Sequence, residues 1–225
     1  MIVYLPAKDI DSTHFETDLG YWPVGSTGIQ AERVQVSNVG LNFTKYITEA
    51  RALAAAGNTE FVEALEVIDS LETYAAYADN YFNKGTDAAY VSTASTDGIE
   101  DPTRTNADLE GAEFYGTSLL LEDQVTIRHY FKVTDMDAFT AAYDVAGMYG
   151  VKGNFIYFDI ADIPAQEIGD TKTLTFTDKE GGTAYEVNYS VANYIVDMMD
   201  DDDANLVSLV NAMYDYYLAA ADYAK

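Results

Sequence analysis

The chain reads as an α+β protein: a mostly antiparallel β-sheet or sandwich with helical hairpins packed against it. Three observations predict this. Residues 67–82 (VIDSLETYAAYADNYF) and 209–225 (LVNAMYDYYLAAADYAK) carry apolar side chains at steps of three and four, the stripe of a helix with one buried face. Between them lie short runs such as QVTIRHYFKV at 124–133, which alternate with the period of two of a half-buried strand. The two helical stretches also align without gaps: Val67 with Leu209, Ile68 with Val210, Leu71 with Met213, Tyr74 with Tyr216, Ala78 with Ala220 and Tyr81 with Tyr223. That alignment predicts an internal repeat.

Taken in order, residues 2–5 (IVYL) form a strand candidate, and DLGYWPVGSTGIQ, punctuated by Gly20, Pro23, Gly25 and Gly28, predicts a loop. Residues 33–37 (RVQVS) alternate as a strand. From Leu41 the period lengthens, and Leu41, Phe43, Ile47, Ala50 and Leu53 suit a helix ending near Gly57. Asn58 and Thr59 cap a second helix that runs to about Phe82, with Asn83 and Gly85 as its stop. Residues 85–112, rich in Thr, Ser, Asp, Ala and Gly, carry no apolar period and predict a linker or extended connection. Paired strands follow at 116–122 and 124–133. In the second, Val125, Ile127, His129, Phe131 and Val133 share one face. Residues 135–146 fit either a short helix or an acidic strand and loop. Further strands are expected at 154–160, 172–177 and 184–189, then helices at roughly 190–200 and 204–224.

LPAKDI at 5–10 matches IPAQEI at 163–168, so the repeat extends beyond its helices. This divides the chain into a truncated unit at 1–84, a linker at 85–112 and a complete unit at 113–225.

Composition narrows the function. A formal net charge of −26 argues against nucleic acid and against an anionic membrane surface, since an acidic face cannot replace phosphate counterions. The simplest role of that charge is to keep an exposed protein soluble. Without cysteine there is neither disulfide nor thiolate chemistry. No run approaches the ~20 apolar residues of a membrane helix, so no membrane insertion is expected, and a secretion signal or anchor is expected outside these residues.

The segments GTSLLLEDQVTIRHYF and LVNAMYDYYLAAADYA resemble repeat modules of large surface proteins of Gram-positive anaerobes. Such proteins often carry dockerin, leucine-rich or bacterial Ig-like modules elsewhere. The shared features are an opening at Phe114 to Leu121, a strand at Ile127 to Phe131, a turn at Ile163 to Gln166 and an alanine- and tyrosine-rich closing helix. The resemblance covers most of 113–225, and 1–84 matches its second half more loosely. It implies an extracellular, cell-surface β-sheet domain with a helical hairpin, adhesive or architectural in role. It implies no catalytic residues.

Candidate chemistry is sparse. His129 falls on the apolar face of a strand, where an imidazole is expected as a satisfied structural group; His14 is expected at the surface. With 38 Asp and Glu, a carboxylate pair of the glycosidase type can always be drawn, but sequence spacing does not bring two acids together. Asp197 with Asp200 to Asp203 is the densest acidic cluster. Calcium takes six to eight oxygen ligands, yet the glycine of a calcium loop is missing, and capping of the following helix is the stronger reading. Asp9 and Asp11 are weaker calcium candidates for the same reason. Tyr21 and the single tryptophan, Trp22, stand in the Gly/Pro stretch as a candidate ligand-binding pair that could stack on a sugar ring, although a plug for the open end of the first unit is the stronger reading of Trp22. The expected function is a non-enzymatic module for adhesion or spacing within a larger surface protein. The alternative is a carbohydrate- or glycoprotein-binding module, with calcium as an aid.

Overall fold

A computed structural model describes residues 14–21, 34–105, 108–121 and 125–225. The strand expected at 2–5 and the pair Asp9 and Asp11 lie outside them, as do the side chains of 14–21 and 34–43. The fold is α+β, with all strand pairs antiparallel.

Strands β1 (His14–Tyr21) and β2 (Val34–Asn42) form a two-stranded sheet of their own. The expected loop therefore begins later than its glycines suggested: Asp18 to Tyr21 are strand, and Gly20 is accommodated by a register shift between Leu19 and Gly20. Leu41 likewise lies within β2, which runs on to Asn42, rather than opening a helix. Helix α1 (Phe43–Ala55) follows directly, then α2 (Thr59–Phe82), capped by the Asn58 side chain on the Glu60 amide. Ile47, Ala50 and Ile68 form the small core of this hairpin.

The main body begins with β3 (Thr103–Arg104), β4 (Ala112–Leu121) and β5 (Val125–Val133), then α3 (Met136–Ala142). Asp135 caps α3 through the Ala138 amide at 3.0 Å, so the ambiguous 135–146 stretch is a short helix at its start. Next come β6 (Gly150–Lys152), β7 (Phe155–Ile163), a single 3-10 turn at Ala165–Glu167, β8 (Lys172–Thr177) and β9 (Thr183–Tyr189). Helices α4 (Val191–Met198) and α5 (Ala204–Tyr223) close the chain. One sheet has the order β4-β5-β7-β6, the other β3-β9-β8. β6 was not expected from sequence, because three residues carry too little alternation to register.

The two sheets share one aromatic core. Phe131 on β5 is fully buried, and its ring lies 5.5 Å from Phe158 on β7, 5.8 Å from Phe176 on β8 and 5.3 Å from Tyr185 on β9. Rings meeting mostly edge to face satisfy their quadrupoles as well as excluding water. A second core joins sheet to helices: Ile127 and Ile163 meet Val191, Ile195, Val210 and Met213. Ser190 opens α4 with a reciprocal capping box, its hydroxyl accepting from the Asn193 amide while Asn193 accepts from the Ser190 amide. Ser190→Ala should therefore cost about 1 kcal/mol, a small but measurable drop in thermal midpoint.

The helices aligned in sequence pack on each other. Tyr74 of α2 stacks on Tyr216 of α5, with centroids 5.7 Å apart and planes within 10°. Further along α2, Asn80 bonds Asn205, which lies earlier in α5, so the two helices run antiparallel. A repeated whole unit is not shown. The β1–β2 hairpin stands as a separate sheet, whereas β8–β9, its expected counterpart, takes β3 as a third strand.

Candidate functional site

The open edges of the two sheets, β3 and β4, leave a cleft between them. β3 is only two residues long, so it covers little of the gap. Arg104 pairs with Val187 across the β3–β9 ladder, and directly opposed residues project to the same side. That side faces β4, and the Arg104 guanidinium accordingly lies over the Phe114 ring, 4.6 Å from its centroid. Thr103 and Thr117 add hydroxyls, Tyr189 comes from the end of β9, and Asp197 comes from α4. The cavity they bound measures about 410 Å³, within the ordinary range for small-molecule sites.

His129 lies beside this cleft. It is fully buried, and Nδ1 is 2.8 Å from the Thr117 hydroxyl. Its ring also meets Tyr189 at 6.0 Å, nearly perpendicular. The expectation of a satisfied structural histidine holds only for one nitrogen, since Nε2 is buried with no partner. Burial pulls the imidazole pKa down to about 4, against the opposing effect of Asp159. Tyr185, also fully buried, has a hydroxyl with no hydrogen bond of good geometry. Burial pushes its pKa up to about 12, while the nearby Arg104 guanidinium acts the other way.

The histidine makes stability pH-dependent with a definite sign. Because its native pKa is depressed, native and unfolded chains are both neutral above about pH 6.5 and nothing is lost there. Below that, the unfolded chain takes up a proton that the native state resists, and the loss accrues until about pH 4. The expected cost is on the order of 2–3 kcal/mol. Urea midpoints measured from pH 7 to pH 4 should fall more steeply for the natural chain than for His129→Gln.

Other sequence-predicted groups fall elsewhere. Tyr21 ends β1 opposite Val34, but its side chain, and Trp22 entirely, lie outside the described residues. The acidic turn caps a helix: Asp203 Oδ1 accepts from the Asn205 and Leu206 amides, and Asp201 accepts from the Asp203 amide. Among the described residues, no group of three or more Asp, Glu or His converges as a metal site.

Sequence reasoning missed a polar seam along α5. The chain from Gly85 to Ser95 lies beside this helix and follows it in the same direction. Asn205 donates to the Gly85 carbonyl at 3.2 Å, and the Tyr90 amide donates to Ser208 at 3.1 Å. The Ser92 amide donates to Asn211 at 2.9 Å, and the Tyr214 hydroxyl to the Ser95 carbonyl at 2.8 Å. Asp215 accepts the hydroxyls of both Tyr90 (2.6 Å) and Ser92 (2.5 Å). Beyond it, Asn193 of α4 holds the Glu100 carbonyl at 2.7 Å.

On the far face of the four-stranded sheet, Tyr115 is 67% exposed and meets Phe155 at 4.8 Å. Arg128 lies 3.8 Å over the Tyr157 ring and bonds both oxygens of Asp159 at 2.7 Å. The neighbouring rings are tilted by 53° to 86°, so they form a corrugated aromatic surface rather than a flat platform. No helix among the described residues is long and apolar enough to cross a membrane. No protein-family model, curated protein or solved structure matches the chain.

Proposed function

We propose that this chain is a non-enzymatic module of a larger extracellular surface protein, holding a fixed spacing between its neighbours and offering an adhesive face. The observation that carries this reading is the seam on α5. A stretch with the composition of a free linker is instead bonded along a helix that also packs against α2. The helical hairpin before the stretch and the sheets after it are thereby fastened twice to the same element. A part that sets distance within a long protein needs such fastening, because a flexible joint transmits no fixed length. The charge of −26 suits an exposed surface, and the resemblance of 113–225 to surface-protein repeats supports the same setting. Tyr115 and its aromatic neighbours are the described residues best placed for protein adhesion.

The reading is tested by pulling single molecules from their two ends. One cooperative extension step is expected. Release of the α1–α2 hairpin at a distinctly lower force than the sheets would remove the spacing role. A milder test follows from Asp215, which accepts two hydroxyls from the bonded stretch. Asp215→Ala should cost about 1–2 kcal/mol and expose residues 87–100 to limited proteolysis, where the natural chain resists cutting.

A further inference from the structure

We propose that the outer face of the four-stranded sheet docks onto the same face of a second copy of this chain. The proposal rests on the adhesive face assigned above and names what that face adheres to. The strand order β4-β5-β7-β6 and the pairing register fix which side chains stand side by side. Directly opposed residues project to the same side, and the alternate positions Phe131, Ile156 and Phe158 fill the core. Three outward rows result. The first reads Glu113, Lys132, Phe155 and Lys152 across the four strands. The second reads Gly116, Tyr130, Tyr157 and Gly150. The third reads Ser118, Arg128 and Asp159.

These rows are self-complementary. A two-fold axis along the strands, midway between β5 and β7, lays each row on its own reverse, so that β4 of one copy faces β6 of the other. Glu113 then meets Lys152 of the second copy at one end of the first row, and the same contact recurs at the other end. Between them Lys132 lies against the Phe155 ring of the second copy. In the second row Tyr130 meets Tyr157, with glycine facing glycine at both edges. In the third, Arg128 meets Asp159, so two ion pairs, each already closed within its own copy, stack head to tail. Tyr115, 67% exposed beside Phe155, flanks the first row.

Charge favours the same choice. The rows hold three cations, Arg128, Lys132 and Lys152, against two acids, Glu113 and Asp159, in a chain with 12 Lys and Arg to 38 Asp and Glu. Two copies at −26 each repel in most orientations, and this face lets them meet without like-charge contact. Three rows over four strands span roughly 400 Å², about half the area per partner of a standard interface. The expected dimer is therefore weak, with Kd on the order of 100 μM.

The test is sedimentation equilibrium of the whole chain at concentrations up to about 1 mM, in about 0.15 M salt. A monomer–dimer equilibrium is expected. Lys152→Glu sets Glu against Glu113 at both ends of the first row, and Glu113→Lys sets Lys against Lys152. Each variant alone should dimerise at least about tenfold more weakly than the natural chain. Mixed in equal amounts, the two variants should pair with each other about tenfold more tightly than either pairs with itself, because both end contacts are again opposite in sign. Both positions are exposed, so the variants should fold, which circular dichroism checks. A natural chain that stays monomeric at about 1 mM would overturn the proposal. So would a dimer that both variants keep at full strength, or a mixture no tighter than its parts. One-step extension under force by a chain that stays monomeric would keep the spacing role and lose the self-docking face. A dimer whose chains extend in two steps would do the reverse.

Discussion

Replacing Phe131 by alanine is expected to cost about 3–5 kcal/mol. The ring is fully buried and touches both sheets: Phe114 and Phe158 on one, Phe176 and Tyr185 on the other. Truncation removes the burial energy of the ring and leaves a cavity that neighbouring rings, locked against one another, fill poorly. Phe176 and Tyr185, for example, are stacked 4.9 Å apart within 13° and have little freedom to move inward. For a chain of this length each kcal/mol lowers the thermal midpoint by roughly 2–4 °C, so a fall of about 10 °C is expected by calorimetry. A fall of only a degree or two would mean that the sheets do not share this core.

Gly111→Ala should be nearly as damaging, at roughly 3–4 kcal/mol, for a different reason. Gly111 has φ +75°, a conformation that costs a residue with a side chain about 1–2 kcal/mol. Its carbonyl also accepts from both Thr134 and Asp135 amides at 2.9 Å, tying the entry of β4 to the start of α3. A methyl group there would lie 2.6 Å from the Phe139 amide nitrogen and closer still to the Asp135 carbonyl. These are backbone atoms, so relief requires moving the first turn of α3. By contrast Gly147, at φ +76°, has open space around it. Gly147→Ala should therefore lose only the conformational cost. Equal denaturation midpoints for the two variants would show that the close approach at Gly111 contributes nothing.

The elements with strong local signals were legible in the sequence. Asn58 at the head of a long apolar stripe places α2 within about a residue, and alternation places β5, β8 and β9 within one or two. The acidic turn before α5 reads as a cap because Asp203 needs only its nearest amides. Elements decided by distant partners were not legible. β3 and β6 are strands through their neighbours, not through their own pattern. The cleft draws Arg104, Phe114, Thr117, Tyr189 and Asp197 from four separate elements, and nothing in the spacing of these residues joins them. The resemblance singled out Phe114 and the acidic cluster included Asp197, but neither pointed to the other.

The seam is an intermediate case. Residues 85–95 use mainly backbone groups, which leave no trace in a sequence, so their composition reads as a linker. The signal lay on the helix instead. Asn205, Ser208, Asn211 and Asp215 recur at steps of three and four, a polar stripe beside the apolar one. A polar stripe on a helix is ordinarily taken as its solvent face, and here it is the face that holds the chain.

The most direct test of the central claim, that the seam fastens the two halves into one body, is native-state hydrogen exchange of the α2, α5 and 85–95 amides. The Tyr90 and Ser92 amides, bonded to Ser208 and Asn211, should be protected to the same free energy as the middle of α2 and of α5, all opening in one global event. Tyr90 and Ser92 amides exchanging freely, while α2 and α5 open at separate energies, would contradict it.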